Sequence, residues 1–193
     1  SAGGYRVIAS NAGGSVTSVV ATLTVQVAPP VILSQPQSQT VTNGAAVAMT
    51  VDASGSPTYQ WQKNGENIAG ATAATLAIAT AAIGDAGDYR VIASNAGGSV
   101  TSAVATVTVW VPPTIVTQPQ ALTVTVGGSA TFEVVAAGVP TPTFQWRLNA
   151  TPLAGQTSST LVIASAQAGD AGDYTVEVSS SAGTVVSSPA HLT

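Results

Sequence analysis

The chain contains no cysteine. This excludes a disulfide framework, a thiolate zinc site and a cysteine nucleophile, and leaves the redox compartment unreadable. Charge is almost as scarce. Only 6% of the 193 residues are charged, with four Lys plus Arg against eight Asp plus Glu and a net charge of −4, where an average soluble domain carries about 25%. A chain with so few cations offers no footprint for nucleic acid and no polybasic patch for anionic lipid. Apolar runs are short and interrupted by Thr and Ser, so nothing approaches the roughly 20 residues of a membrane helix, and no membrane insertion is expected.

The residues that carry chemistry are equally thin. A single histidine, His191, supports no Ser/His/Asp arrangement. Glu133 and Glu177 align with Thr50 and Ile92 of the neighbouring repeat, which argues against a catalytic carboxylate pair. The segment "NAGGS" lies between two strand patterns, whereas a phosphate cradle requires a helix N-terminus behind it. The only lysine, Lys63, stands beside Asn64-Gly65, is expected to point to water, and has no counterpart in the last repeat. An isopeptide crosslink repeated in every unit is therefore excluded. "NAT" at Asn149–Thr151 matches a glycan acceptor, but Pro152 directly after it makes the site silent. The reading is a non-enzyme with no cofactor and no metal.

What the chain does have is repetition. Shifted by 84, residues 1–27 fall on 85–111 with 22 of 27 positions identical. A second alignment carries "PPVILSQPQSQTVTNG" (29–44) onto "PPTIVTQPQALTVTVGG" (112–128) and continues to "GDAGDYRV" against "GDAGDYTV". The organisation is thus two full units, 29–111 and 112–193, preceded by residues 1–28, the last third of another. Repeats at a fixed period mean a modular array, and both ends fall inside a repeat, as expected of a segment of a longer molecule. Within each unit, "AVAMTVDA", "SATFEVVA", "ATLAIA" and "VATVTVWV" alternate apolar with polar and are rich in β-branched residues. Turn chemistry separates them at Asn43-Gly44, Asn64-Gly65 and Asn95-Ala96-Gly97-Gly98. The fold class is all-β, a tandem of two-sheet antiparallel sandwiches. Pro29-Pro30 and Pro112-Pro113 punctuate the units; they resist helix and central strand alike and stiffen the joints.

Two motifs carry a resemblance to a family. A tryptophan follows the turn after the second strand, Trp61 in "PTYQWQKNG" and Trp146 in "PTFQWRLNA", and "DAGDY" recurs at Asp85–Tyr89 and Asp170–Tyr174. In these features the whole chain resembles immunoglobulin-like domains of the I-set type, and its wording is similar to the repeats of very large bacterial surface or secreted proteins. The resemblance implies buried Trp61 and Trp146. It also implies a tyrosine corner, in which Tyr5, Tyr89 and Tyr174 near the start of strand F bond back to the backbone. Asp85 and Asp170 would cap backbone N–H groups, and Gly87 and Gly172 would make the bend. The family's core disulfide would join positions held here by valines, Val51 with Val91 and Val134 with Val176. Folding then does not depend on an oxidising compartment.

The opening copy replaces the two acids of "DAGDY" by Ser1 and Gly4. A calcium site needs about six to eight oxygens, so Asp85 and Asp88 read as scaffold. Trp110, aligned with Gln26 and next to the second Pro-Pro pair, reads either as a side chain packed between adjacent repeats or as an anchor for another chain or a sugar. The expected function is a structural repeat of an extracellular or cell-surface protein: a spacer or assembly module of a stalk, fibre or surface layer. Its expected partners are neighbouring repeats and, through flat, weakly charged strands, other copies of itself. The alternative is an adhesion module binding a glycan or host protein through its end loops. Residues 1–28 would supply only strands F and G, with the rest of that unit either outside this sequence or contributed by another chain.

Overall fold

The structure is a computed structural model and describes residues 2–193. The chain is built of short strands and two 3-10 turns, Ile83–Asp85 and Ala168–Asp170, with no α-helix among the described residues. Side chains in a strand alternate between faces, and the sequence alternates to match. In Gly172–Ser180, Tyr174, Val176 and Val178 are buried while Asp173 and Ser179 are not. Gly87–Asn95 repeats the pattern with Tyr89, Val91 and Ala93.

The chain divides into two compact units, the first made of residues up to Gln37 with 49–76 and 89–105, the second of 38–48, 77–88 and 106–193. In the first, two antiparallel pairs open the chain, Gly3–Tyr5 with Ala21–Leu23 and Ile8–Asn11 with Gly14–Thr17. A larger sheet places Thr58–Lys63 between Glu66–Asn67 and residues 89–94, and Gly98–Thr101 lies on the far side of the latter. Trp61 is opposite Val91 in this register, and both are fully buried. The indole N–H of Trp61 donates to the Ala73 carbonyl at 2.9 Å.

The second unit contains one sandwich complete in itself. Ala130–Glu133 pairs with Thr160–Ile163, and a second sheet runs Thr151–Pro152, Thr143–Leu148, Gly172–Ser180, Gly183–Val186. Ala190–Leu192 adds to the start of Gly172–Ser180. The sheets meet through Phe132, whose ring stacks on Tyr174 at 4.7 Å and tilts against Trp146 at 6.1 Å. Val134 and Val176, the positions where the resemblance implies sulfur, are 1% and 0% exposed in this core.

Two expectations need correction. Pro29 and Pro30 lie outside any strand, but Pro112 and Pro113 sit within one, Ala105–Thr117. That strand pairs in parallel with Gln39–Thr42 through Val107–Trp110 and then antiparallel with Val135–Val139. The second pairing jumps from Val111/Val139 to Thr114/Ala137, so the register passes over both prolines and needs no N–H from them. Tyr5, aligned with the core tyrosines, is 47% exposed, and Val7 is 67% exposed. Tyr5 lies in the pair of Gly3–Tyr5 with Ala21–Leu23, all of whose residues are exposed.

Candidate functional site

The "DAGDY" segment concentrates the chain's acids, and its geometry is seen most fully in the last sandwich. Asp170 ends the 3-10 turn, and its carboxylate accepts the Gln167 N–H at 2.8 Å while its own N–H donates to the Gln167 carbonyl at 2.9 Å. The Tyr174 hydroxyl donates to the Asp170 carbonyl at 2.8 Å. Gly172 has φ +150, and a Cβ there would lie 2.7 Å from the Asn149 amide and 2.9 Å from Leu148; glycine is required by shape and backbone together. Asp173 pairs with His191 at 2.7 Å on an exposed surface. The middle repeat matches at each position seen: Asp85 accepts the Ala82 N–H at 2.8 Å, Gly87 has φ +152, and Asp88 accepts the Thr106 hydroxyl at 2.8 Å. Both acids therefore have protein donors, and His191 takes the place of Thr106 as the partner of the second. No group of three or more metal-ligating side chains occurs among the described residues.

Burial, and after it the Asp170 carboxylate, raise the Tyr174 hydroxyl above the ordinary phenol value of 10.0. The unfolded chain then releases this proton more readily than the folded one. Its contribution is complete below about pH 10 and is lost as pH climbs from there through the folded value. Urea titrations on the parent and Tyr174→Phe check this: the parent's advantage over the variant should shrink above pH 10. An advantage that stays constant from pH 8 to 11 contradicts the coupling.

Several polar side chains that sequence reasoning did not single out hold the sheets together. Ser187 is 7% exposed, and its hydroxyl accepts the buried Val176 N–H at 3.0 Å. Ser102 does the same for Val91 at 3.0 Å and Ser18 for Val7 at 3.1 Å. Gln35 and Gln118, of the "QPQ" motifs, accept the N–H groups of Ala103 and Ser188, each at 2.9 Å. Gln60 and Gln145, each just before the tryptophan, donate to two carbonyls, that of the tryptophan itself and one across the hairpin, Ile68 in one repeat and Leu153 in the other. The available signal was recurrence: each pair stands at aligned positions of the two full repeats. Ser187→Ala strands a buried N–H, which costs about 1–3 kcal/mol. Chemical denaturation should show that loss with the cooperativity unchanged; a change below about 0.5 kcal/mol would mean that Val176 finds another acceptor.

The remaining candidates are surface features. Arg147 forms an ion pair with Glu177, both about one-third exposed, a contact of the class contributing about 0–1 kcal/mol. Lys63, expected to point to water, places its ammonium 5.8 Å from the centre of the Tyr89 ring, within cation–π range. Trp110 is half-buried, and its carbonyl accepts the Asn43 N–H at 2.7 Å.

The model of the immunoglobulin domain matches residues 29–95 and 112–180. The chain is 35% identical over 175 residues to part of Endoglucanase C of Cellulomonas fimi, covering 84% of this chain and 16% of that protein. It is 34% identical over 180 residues to mouse Hemicentin-1, covering 85% of this chain and 3% of the relative. Human leucine-rich repeats and immunoglobulin-like domains protein 3 is 32% identical over 203 residues, with 95% and 18% covered. The chain thus spans less than a fifth of each of these relatives. Among solved structures, an I-band fragment of titin superposes with a TM-score of 0.78 at 22% identity, covering all of this chain and 74% of that one. Sidekick-1 immunoglobulin domains 1–4 give 0.72 at 24% identity, covering 99% and 57%.

Proposed function

Because this chain belongs to the immunoglobulin-domain family, we propose that it is a non-enzymatic structural segment of a longer extracellular or cell-surface protein, with domains at 29–111 and 112–193 and strands F and G of a further domain at 1–28. It holds distance within a stalk, fibre or surface layer. One observation carries this reading: the recurring polar residues of the repeat are engaged in equivalent internal bonds in both full copies. Asp85 and Asp170, Ser102 and Ser187, Gln35 and Gln118 each serve the fold. What recurs from copy to copy is thus the set of bonds that shapes the domain.

The family assigns the fold and leaves the parent protein open. The likeness to part of Endoglucanase C is compatible with the same role, since a spacer serves equally beside a catalytic domain or within a stalk. Assembly follows from the surface: strands with few charges and Ala, Val and Thr on their outer faces lack the lysines that usually blunt sheet edges. Light scattering over a concentration series should show mass rising with concentration, and more steeply in chains of several repeats. A mass fixed at one chain throughout removes the assembly part of the proposal and leaves the spacer part standing.

A further inference from the structure

The two Pro-Pro joints are built differently, and the difference lies in four loop residues. At the first, the loop Asn95-Ala96-Gly97-Gly98 lies against the incoming segment 27–30. The Asn95 side-chain amide donates to the carbonyls of Ala28 and Gly55, each at 3.0 Å, and its oxygen accepts the Gly97 N–H at 2.7 Å. A Cβ on Gly97 would stand 2.2 Å from the Val27 carbonyl oxygen and 2.6 Å from the Ala28 carbonyl carbon. Only glycine allows the two backbones to approach so closely. A Cβ on Gly98 would lie 3.4 Å from the Pro29 ring.

The last repeat has Ser180-Ser181-Ala182-Gly183 at these positions. Ala182 carries the methyl group that the first joint cannot accommodate, and the side chain in the asparagine's place, Ser180, accepts only the Ala182 N–H at 3.1 Å. There the chain passes through Pro112-Pro113 as part of the continuous strand Ala105–Thr117, and a Cβ added to Gly183 would lie 3.9 Å from the Pro113 ring, an ordinary contact.

We propose that Asn95–Gly98 is a backbone clasp for the extended segment Val27–Pro30, and that Asn95 and Gly97 fix that joint, whereas the joint at 111–113 is held by strand pairing and is independent of its loop. The site recognises main chain: two carbonyl acceptors presented to one amide, over a glycine surface that admits a peptide edge and excludes side chains. The loop's shape is set by its own internal bond, which the first copy repeats between Asn11 and Gly13 at 2.8 Å, so the clasp is pre-organised. It also occupies loops that a ligand-binding module would leave open. This inference concerns local order at one joint and is independent of whether the molecule assembles.

Nitrogen-15 relaxation on the full chain tests it. In the parent, Val27 and Ala28 should show order parameters near the rigid value of about 0.85; Asn95→Ala and Gly97→Ala should each lower them below about 0.6. One Asn95 side-chain amide proton should exchange slowly in the parent, and Gly97→Ala should remove that protection. Ser180→Ala should leave Val111 and Thr114 as rigid as in the parent. Asn95→Ala adds no bulk, so it decides the matter if Gly97→Ala fails to fold. Unchanged order at Val27 and Ala28 in Asn95→Ala overturns the clasp. Equal loosening of 111–114 by Ser180→Ala overturns the distinction between the joints.

Discussion

Replacing Trp146 with alanine should destabilise the last sandwich by about 3–5 kcal/mol, the range for deleting a fully buried aromatic from a core. Trp146 is 0% exposed, tilts against Phe132, lies opposite Val176 across its sheet, and donates its indole N–H to the Ser158 carbonyl at 2.9 Å. The substitution therefore opens a cavity, removes an aromatic contact and leaves a carbonyl without its donor at once. A domain of this size is stable by about 5–15 kcal/mol, so the variant sits at the edge of folding at 37 °C. Guanidinium titration followed by far-UV circular dichroism measures the loss. A change under 1 kcal/mol would mean that the sandwich does not close on this residue.

The second large effect is a gain. Val134→Cys with Val176→Cys should form the bridge that the family resemblance implies, because the two valines occupy its positions and are both buried in the same core. Closing a loop of roughly forty residues removes unfolded-state entropy worth about 4 kcal/mol in the chain model. Two cysteines fill somewhat less space than two valines, so a net gain of about 2–4 kcal/mol is expected, within the usual range for such bridges. Thiol titration under denaturing conditions should find no free cysteine in the oxidised variant, and a reductant should return its stability to or below that of the parent. Two free thiols after air oxidation would show that Val134 and Val176 are too far apart or misaligned for a bridge.

Much of the strand pattern could be read before any coordinates, because the causes are local. Tyr174, Val176 and Val178 alternate with polar neighbours, and a period of two has one explanation in a chain with turns every ten residues. The aspartates of "DAGDY" were readable as turn residues for the same reason: Asp170 reaches an N–H only three positions away. Tyr5 was not readable in this way. Its immediate sequence matches that of Tyr89, yet it is 47% exposed while Tyr89 is 2% exposed. Burial depends on what lies across the core, and identical local text carries no information about it.

The buried serines and the glutamines of "QPQ" escaped for a related reason. Gln118 and Ser188 are 70 residues apart, and Asn95 and Ala28 are 67 apart. Which backbone groups lack partners is decided only when strands have paired, and those leftover groups select the side chains that satisfy them.

By itself the sequence determined the repeat, the strand period, the turn chemistry and the near-absence of reactive side chains, since each is a property of residues within a few positions of one another. The tertiary structure decided the rest: that one Pro-Pro pair continues a strand while the other lies under a glycine loop, and that Ser187, Gln118 and Asn95 hold distant backbone. Those outcomes follow from hydrogen-bond demands that exist only once sheets and joints have come together, and the linear order of residues does not display them.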